Sequence, residues 1–316
     1  MEQRYVGSSG LRVSRLGLGT MTWGRDTDEH ESREQLGAFL DAGGTLLDTA
    51  AGYGDGAAEE LIGVLLREHA RRDDVVICTK AGISRRSGTR VVDTSRRAML
   101  DALDASLARL GVEHVDLWLA HSWSEAVPLE ETLTALDAAV SSGRARYVGI
   151  SNYAGWQSAR AATWQQLRGS VPLVATEVEY SLLNRDVEVE ALPSAAAHGL
   201  GVFAWSPLGR GVLTGKYRHG TPADSRAASP HFAAFVERFL DPGSRQIVDA
   251  LVTAAEGLDC SPAELALAWV RDQPGVTAPI VGARTAAQLR GTLGSEGIEI
   301  PDPIRAALDE VSLTAP

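Results

Sequence analysis

The chain has 316 residues, a formal net charge of -11, 44% hydrophobic residues and 22% charged residues. Those fractions exclude a disordered or collagen-like chain, the length suits one large α/β barrel or two ordinary domains, and the acidic balance argues against a nucleic-acid surface. The two cysteines, Cys78 and Cys260, are far apart with no His nearby, which excludes a disulfide framework and a Cys-rich zinc site and fits a reducing cytoplasm.

Met1–Gly10 has no long apolar run, so neither a secretory signal nor a membrane span is expected. Residues 1–14 carry Gly7-Ser-Ser-Gly10 between short apolar stretches and predict a hairpin over a barrel floor. Short apolar runs follow at Arg15–Gly19, Thr45–Thr49, Val75–Lys80, Val115–His121, Tyr147–Ser151, Leu173–Val178, Val202–Ser206 and Val276–Gly282. Each is too short for a helix, and several are rich in Val and Ile. Helical patterns lie between them, among them Ala57–Arg71, Ser95–Leu110, Leu129–Ser142, Ala154–Leu167 and Ser261–Arg271. Leu129, Leu133, Leu136 and Val140 make one apolar helix face, and Ser261-Pro262-Ala263-Glu264 is a helix start.

Eight strands alternating with helices predict a parallel sheet closed as a (β/α)8 TIM barrel, one domain over residues 1–316. The gap of 70 residues from Ser206 to Val276 exceeds one βα unit. It holds a Pro/Asp/Ser-rich patch, Thr221–Pro230, and the aromatics Phe232, Phe235 and Phe239. It predicts a lid with its own helix at about residues 209–243.

One count is unusual. There are 28 Arg but only two Lys, Lys80 and Lys216, and only two Asn, Asn152 and Asn184. A coding bias explains the scarcity, yet a retained Lys is then a candidate for chemistry that Arg cannot perform.

Barrel active sites gather at the carboxyl ends of the strands. The polar residues at those ends are Thr20 with Trp23, Asp48 with Tyr53, Lys80, His121, Ser151 with Asn152, Glu177, Trp205 with Ser206, and Gly282 with Arg284. Four of them form a proton-transfer set. A phenol such as Tyr53 is a poor acid at neutral pH. An ammonium such as Lys80 stabilises the phenolate and lowers its pKa. Asp48 can hold that ammonium, and a neutral His121 can donate to a substrate carbonyl. A metal is not expected, because the carboxylate and the imidazole lack a second close donor.

Thr45-Leu-Leu-Asp48-Thr-Ala-Ala-Gly-Tyr53-Gly resembles the aldo-keto reductase signature. Further matches follow in order: Cys78-Thr-Lys80, Leu119-Ala-His121, Gly149-Ile-Ser151-Asn152, Glu179 through Arg185, Trp205 through Lys216, and Pro279 through Thr285. Within that family the sequence resembles the bacterial branch that is itself similar to potassium-channel β subunits.

The resemblance implies a cytoplasmic, NADPH-dependent reductase of a small aldehyde, ketone or sugar carbonyl, with Tyr53 as proton donor. It assigns Asp48, Tyr53, Lys80 and His121 to catalysis. It places Ser151, Asn152 and Glu177 at the nicotinamide carboxamide, and Trp205 stacked on the ring. Gly19, Thr20 and Asp48 would add cofactor contacts. Ser206, Pro207, Leu208, Gly209, Gly211 and Lys216 would line the pyrophosphate. Arg226, Gly282, Arg284 and Gln288 would hold the adenosine end with its 2′-phosphate. Trp23 and Trp123, with Tyr53 and His121, would wall the substrate. Trp118, Trp156, Trp164 and Trp269 read as packing residues.

Position 177 departs from the pattern, with Glu where the family usually has Gln. A carboxylate accepts from a carboxamide NH2 but donates only when protonated. A rival reading keeps the fold as a nicotinamide-nucleotide-sensing subunit with little turnover; the complete set of four favours an enzyme. Substrate identity and oligomeric state, monomer or homo-oligomer, stay open.

Overall fold

The computed structural model describes residues 1–84, 88–223, 225–229 and 233–313. Eight parallel strands close into a barrel: β1 (Gly17–Gly19), β2 (Leu46–Asp48), β3 (Val76–Ala81), β4 (Val115–Ala120), β5 (Ala145–Ser151), β6 (Leu173–Glu179), β7 (Gly201–Trp205) and β8 (Val276–Gly282). Each pairs with its neighbours in sequence, and Gly282 on β8 pairs with Gly19 on β1 to close the ring. The predicted (β/α)8 barrel is therefore the fold, and every predicted strand lies within two residues of the observed one.

Burial on both faces explains why these strands read as continuous apolar runs. Leu46, Cys78, Leu117, Leu119, Val174, Ala175, Phe203, Ala278 and Ile280 fill the barrel interior. The other strand faces pack outward on the helices, as Leu47, Ile77, Trp118 and Ile150 show. Helix limits follow local chemistry. Ser261 caps helix Pro262–Arg271 in a capping box, with its backbone N–H donating to Glu264 at 2.8 Å. Helix Arg96–Leu110 begins at an N-cap Ser95 and ends on Gly111 in the left-handed region.

The hairpin pairs Gln3–Tyr5 with Arg12–Ser14 and closes the amino-terminal end. Its Val6, Leu11 and Val13 join the interior cluster. Ser8 N–H donates to Gly199 O at 2.9 Å just ahead of β7, and Thr45 N–H donates to Ser14 Oγ at 2.9 Å just ahead of β2. A second small hairpin, Ile83–Ser84 with Val91–Val92, follows β3 and has no counterpart in the sequence reading. The long stretch after β7 holds turns at Gly209–Thr214 and Arg226–Ala228, then helices Ala233–Glu237, Pro242–Gly257 and Pro262–Arg271. Phe232 and part of the Thr221–Pro230 patch lie outside the described residues. Among the described residues, no helix is long and apolar enough to cross a membrane.

Gly7 is where the floor is most exacting. Its φ is 55°, and an added Cβ would fall 2.2 Å from Gly199 O. Gly7→Ala should therefore cost about 2–3 kcal/mol, read as a lower urea midpoint at an unchanged slope.

Candidate active site

Strand side chains alternate between the barrel interior and the helix layer. Leu46 belongs to the interior cluster and Leu47 to the outer one, so Asp48 faces inward at the carboxyl end of β2. The same step of two carries Lys80 inward from Cys78, Glu177 from Ala175, Trp205 from Phe203 and Gly282 from Ile280. Polar groups that would be intolerable lower in the barrel are thus collected in its uppermost layer.

The centre of that layer is ionic. Lys80 is completely buried, and Asp48 and Glu177 are each only 2% exposed. Lys80 Nζ donates to Asp48 Oδ1 at 2.6 Å and to Thr49 O at 3.0 Å. It also lies 3.2 Å from Glu177 Oε2, although no hydrogen bond aligns on that oxygen. Burial disfavours the ammonium, but Asp48 and Glu177 overcome it and hold Lys80 charged well above its ordinary range. Burial, reinforced by Asp48, pushes the Glu177 carboxyl up to about 8. Cys78 completes the cluster, its thiol driven well up by burial. One atom each of Asp48, Cys78 and Glu177 lie within 4.8 Å of one another. This corrects the expectation that Asp48 has no second donor beside it: the neighbours come from β3 and β6, and linear spacing hides them.

Tyr53 and His121 stand in front of this core, half-buried. Their rings meet edge to face at 5.9 Å, and Lys80 Nζ lies 5.4 Å from the Tyr53 ring centroid. The loop is held by Ala51 N–H donating to Lys80 O at 3.0 Å and Tyr53 N–H to Ala50 O at 3.0 Å. Burial, then Lys80 and Arg90, keep the His121 imidazole well below its ordinary range, so it is neutral at physiological pH. Its Nδ1 is buried without a partner. Tyr53 behaves differently from the sequence expectation. Lys80 does pull its acidity in the expected direction, but burial outweighs it and the phenol sits above its ordinary value.

A polar clamp fixes the neighbouring strand ends. Asn152 has φ 58°; its Nδ2 donates to His121 O and to Ser151 Oγ, both at 3.0 Å. Its Oδ1 accepts from Trp205 Nε1 at 3.0 Å. Ser151 Oγ donates to Glu177 O at 3.0 Å. Trp205 is thereby held by its edge, and Phe235 lies parallel to it at 6.5 Å with 12° between planes. Sequence reading gave Arg210 no part here. Its guanidinium grips Glu179 through two bonds of 2.8 Å and covers the Phe235 ring at 3.6 Å. An Arg inside a turn motif carries no signal that its partner is a β6 carboxylate.

The aldo/keto reductase family model matches residues 15–312. An uncharacterized oxidoreductase of Bacillus subtilis is 36% identical, over 98% of this chain and 96% of its own. An L-glyceraldehyde 3-phosphate reductase of Escherichia coli is 38% identical, over 92% and 86%. A probable voltage-gated potassium channel subunit beta of rice is 36% identical, over 92% and 89%. The chain belongs to the aldo/keto reductase family. Family membership makes it an oxidoreductase whose general chemistry is carbonyl reduction.

A nicotinamide dinucleotide has to fit the remaining surface of this reductase. Two observations bear on that requirement: His121 Nδ1 and Glu177 Oε2 are buried with no well-aligned hydrogen bond, and Arg226 and Arg284 lie near enough for their charges to interact. A Cβ on Gly211, whose φ is 97°, would lie 3.4 Å from Lys216 Nζ, so the glycine leaves the ammonium room above the backbone. Arg226 Nη2 approaches the Gly282 backbone in the same way, at 3.7 Å from a built Cβ. Burial, then the Arg284 charge, lowers the pKa of Arg226. Gln288 Oε1 accepts from Arg284 N–H at 3.0 Å. Ser206 has φ 53° and its carbonyl accepts from Gly209 N–H at 2.9 Å, shaping the turn that carries Pro207 and Leu208. Gly19 pairs with Asp48 on β2.

Three placements correct the sequence reading. Trp23, expected to wall the substrate, is fully buried, with Nε1 donating to Gln35 at 3.1 Å. Thr20, expected at the cofactor, is also fully buried, and its hydroxyl donates to Asp48 O at 2.9 Å. Both side chains brace the β1 and β2 ends instead. Trp156, read as packing, is 53% exposed and meets Trp123 at 5.5 Å. Trp123 also packs on Tyr153 at 5.3 Å.

Arg210 and Glu179 form an ion pair whose side chains are 6% and 11% exposed. Arg210→Leu leaves that buried carboxylate with only the half-exposed Arg238 guanidinium at 3.5 Å, so stability should fall by about 2 kcal/mol in a chemical denaturation series.

Proposed function

We propose that the protein is an NADPH-dependent reductase of small aldehydes, ketones or sugar carbonyls, in which Tyr53 gives the proton. The observation that carries this reading is the stack of groups behind one phenol. Tyr53 meets His121 on one side, Lys80 lies beneath it, and Asp48 holds Lys80 at 2.6 Å.

NADPH supplies a hydride when bound. Ser151, Asn152, Glu177 and Trp205 would hold its nicotinamide, and the Ser206–Lys216 turn its pyrophosphate. Arg226, Arg284 and Gln288 would take the adenosine end, where two guanidinium forks suit a 2′-phosphate. The neutral His121 orients the substrate carbonyl by donating a hydrogen bond to its oxygen. Tyr53 Oη then passes its proton to that oxygen as the carbonyl carbon is reduced. Lys80 stabilises the phenolate left behind, and Asp48 keeps the ammonium in place. The phenol's burial raises the cost of that ionisation, so the proton moves only when the reacting oxygen is strongly basic.

The described residues between 209 and 243 would act as a lid on a single barrel domain, anchored by Arg210 on Glu179 and by Phe235 over Trp205. Two free cysteines suit a reducing cytoplasm. Arg90 donates to Ser122 Oγ at 3.3 Å beside His121, placing a cation near the mouth. With the glyceraldehyde-phosphate-reducing relative, this makes a phosphorylated aldehyde the first substrate to assay.

The full chain should consume NADPH with members of an aldehyde and ketone panel. Tyr53→Phe should lower turnover by about a hundredfold or more while NADPH binds as tightly as before. Full activity in that variant overturns the proton-donor role. NADPH binding without turnover by the unaltered chain would favour the nucleotide-sensing role suggested by the channel-subunit relative. Arg226→Ala should weaken NADPH binding by about tenfold and leave NADH binding unchanged, measured by fluorescence titration.

A further inference from the structure

Glu177 is a buried carboxyl with more chemistry around it than one hydrogen bond to a cofactor requires. Its Oε2 sits 3.2 Å from Lys80 Nζ, opposite the Asp48 oxygen held at 2.6 Å. That contact is ionic and poorly aligned for a hydrogen bond, although the side chain is only 3% exposed. The titratable groups facing it are Asp48 and Tyr53 from β2 and its loop, and Lys80 and Cys78 from β3. Its paired neighbours on β5 and β7, Ser151 and Phe203, carry no charge.

The geometry points to Glu177 as a positioning residue for the proton donor: it is a second carboxyl on Lys80, and its protonation state sets how much of the ammonium's charge serves Tyr53. This rests on the reading of Tyr53 as donor. With Glu177 protonated, one ammonium answers one carboxylate and the cluster is neutral. The O–H of the protonated carboxyl can then donate to a carboxamide oxygen. With Glu177 ionised, two carboxylates share one ammonium. The surplus negative charge makes Tyr53 harder to ionise and so a poorer donor. It also favours the cationic, oxidised nicotinamide over the reduced one. Reduction should therefore be supported on the acid side of the Glu177 transition, and alcohol oxidation on the alkaline side.

The sign for stability follows from the same group. A carboxyl pushed up to about 8 in the folded chain binds a proton that the unfolded chain has released. Its contribution is complete below the ordinary carboxylate range and is lost as pH rises through the folded value.

The test compares the wild-type chain with Glu177→Gln, which keeps the shape and removes the titration. Melting of both is followed from pH 5 to 9 without cofactor, and NADPH-linked reduction over the same range. Two results are expected together. The wild type should lose melting temperature with rising pH more steeply than Glu177→Gln. Its reduction rate should also fall on an alkaline limb that the variant lacks or shows displaced upward, so that the rate ratio of variant to wild type grows by about tenfold per pH unit beyond the limb. Parallel melting curves, or identical alkaline limbs, overturn the role of Glu177. Neither outcome depends on Tyr53→Phe, whose loss of turnover tests the donor itself. Should Glu177→Gln fail to fold, Glu177→Asp, which restores a carboxyl, must recover a pH-dependent melt; a flat melt in that variant overturns the inference.

Discussion

A single ammonium organises the mouth of this barrel. Lys80 is completely buried, and an isolated charge there would carry a desolvation cost of several kcal/mol. Asp48 and Thr49 O offset that cost through short hydrogen bonds, and the Glu177 carboxyl adds a second polar group 3.2 Å away. The surrounding structure keeps these partners in register. Asp48 and Glu177 belong to strands on different sides of the ring, and both are held by backbone pairing to their neighbours. Thr20 and Trp23 stiffen the β1 and β2 ends from behind. Only a closed barrel brings residues from β2, β3 and β6 to one point.

The same geometry divides the site by depth. Charged groups lie deep, where low polarity strengthens their mutual attraction. Tyr53 and His121 lie in front, half-buried, where a small molecule can reach them. The clamp from Asn152 to His121, Ser151 and Trp205 then ties this front layer to the wall beneath the proposed nicotinamide. Movement of any one strand end disturbs a donor, an acceptor and a ring together. Asn152 makes all three contacts from a left-handed backbone conformation with φ 58°.

The fold was legible because its signal is local and repeated. Eight apolar runs and their intervening helices each obey a short-range period, and eight units leave little choice of topology. The strand-end residues were legible for the same reason: a step of two from an apolar position fixes which way Asp48, Lys80 and Glu177 point. What escaped was set by packing between distant elements. Nothing near Trp23 in sequence says that Gln35 on the next helix turns it inward. Trp156 has an ordinary helical setting, yet its ring emerges against Trp123. The Glu177 approach to Lys80 joins residues almost a hundred positions apart. The acidity of Tyr53 was misjudged because charge is visible in a sequence and burial is not; desolvation proved the larger influence.

The scarcity of lysine acquires a physical meaning in this setting. An Arg at position 80 would present a planar fork of delocalised charge, too broad to sit between two carboxylates as a point donor. The deep site at Lys80 selects compactness. At the proposed adenosine end the preference would reverse, because a phosphate dianion is matched by forks such as those of Arg226 and Arg284. Lys216 stands between these regimes, exposed beside Gly211 and reaching over backbone instead of into a cavity. A net charge of -11 does not oppose the proposed polyanionic ligand, since what a ligand meets is the local field and not the sum. Shape decides where lysine is irreplaceable: a slender four-carbon stem carries one compact ammonium to the Asp48 and Glu177 carboxyls, and the Arg head is broader.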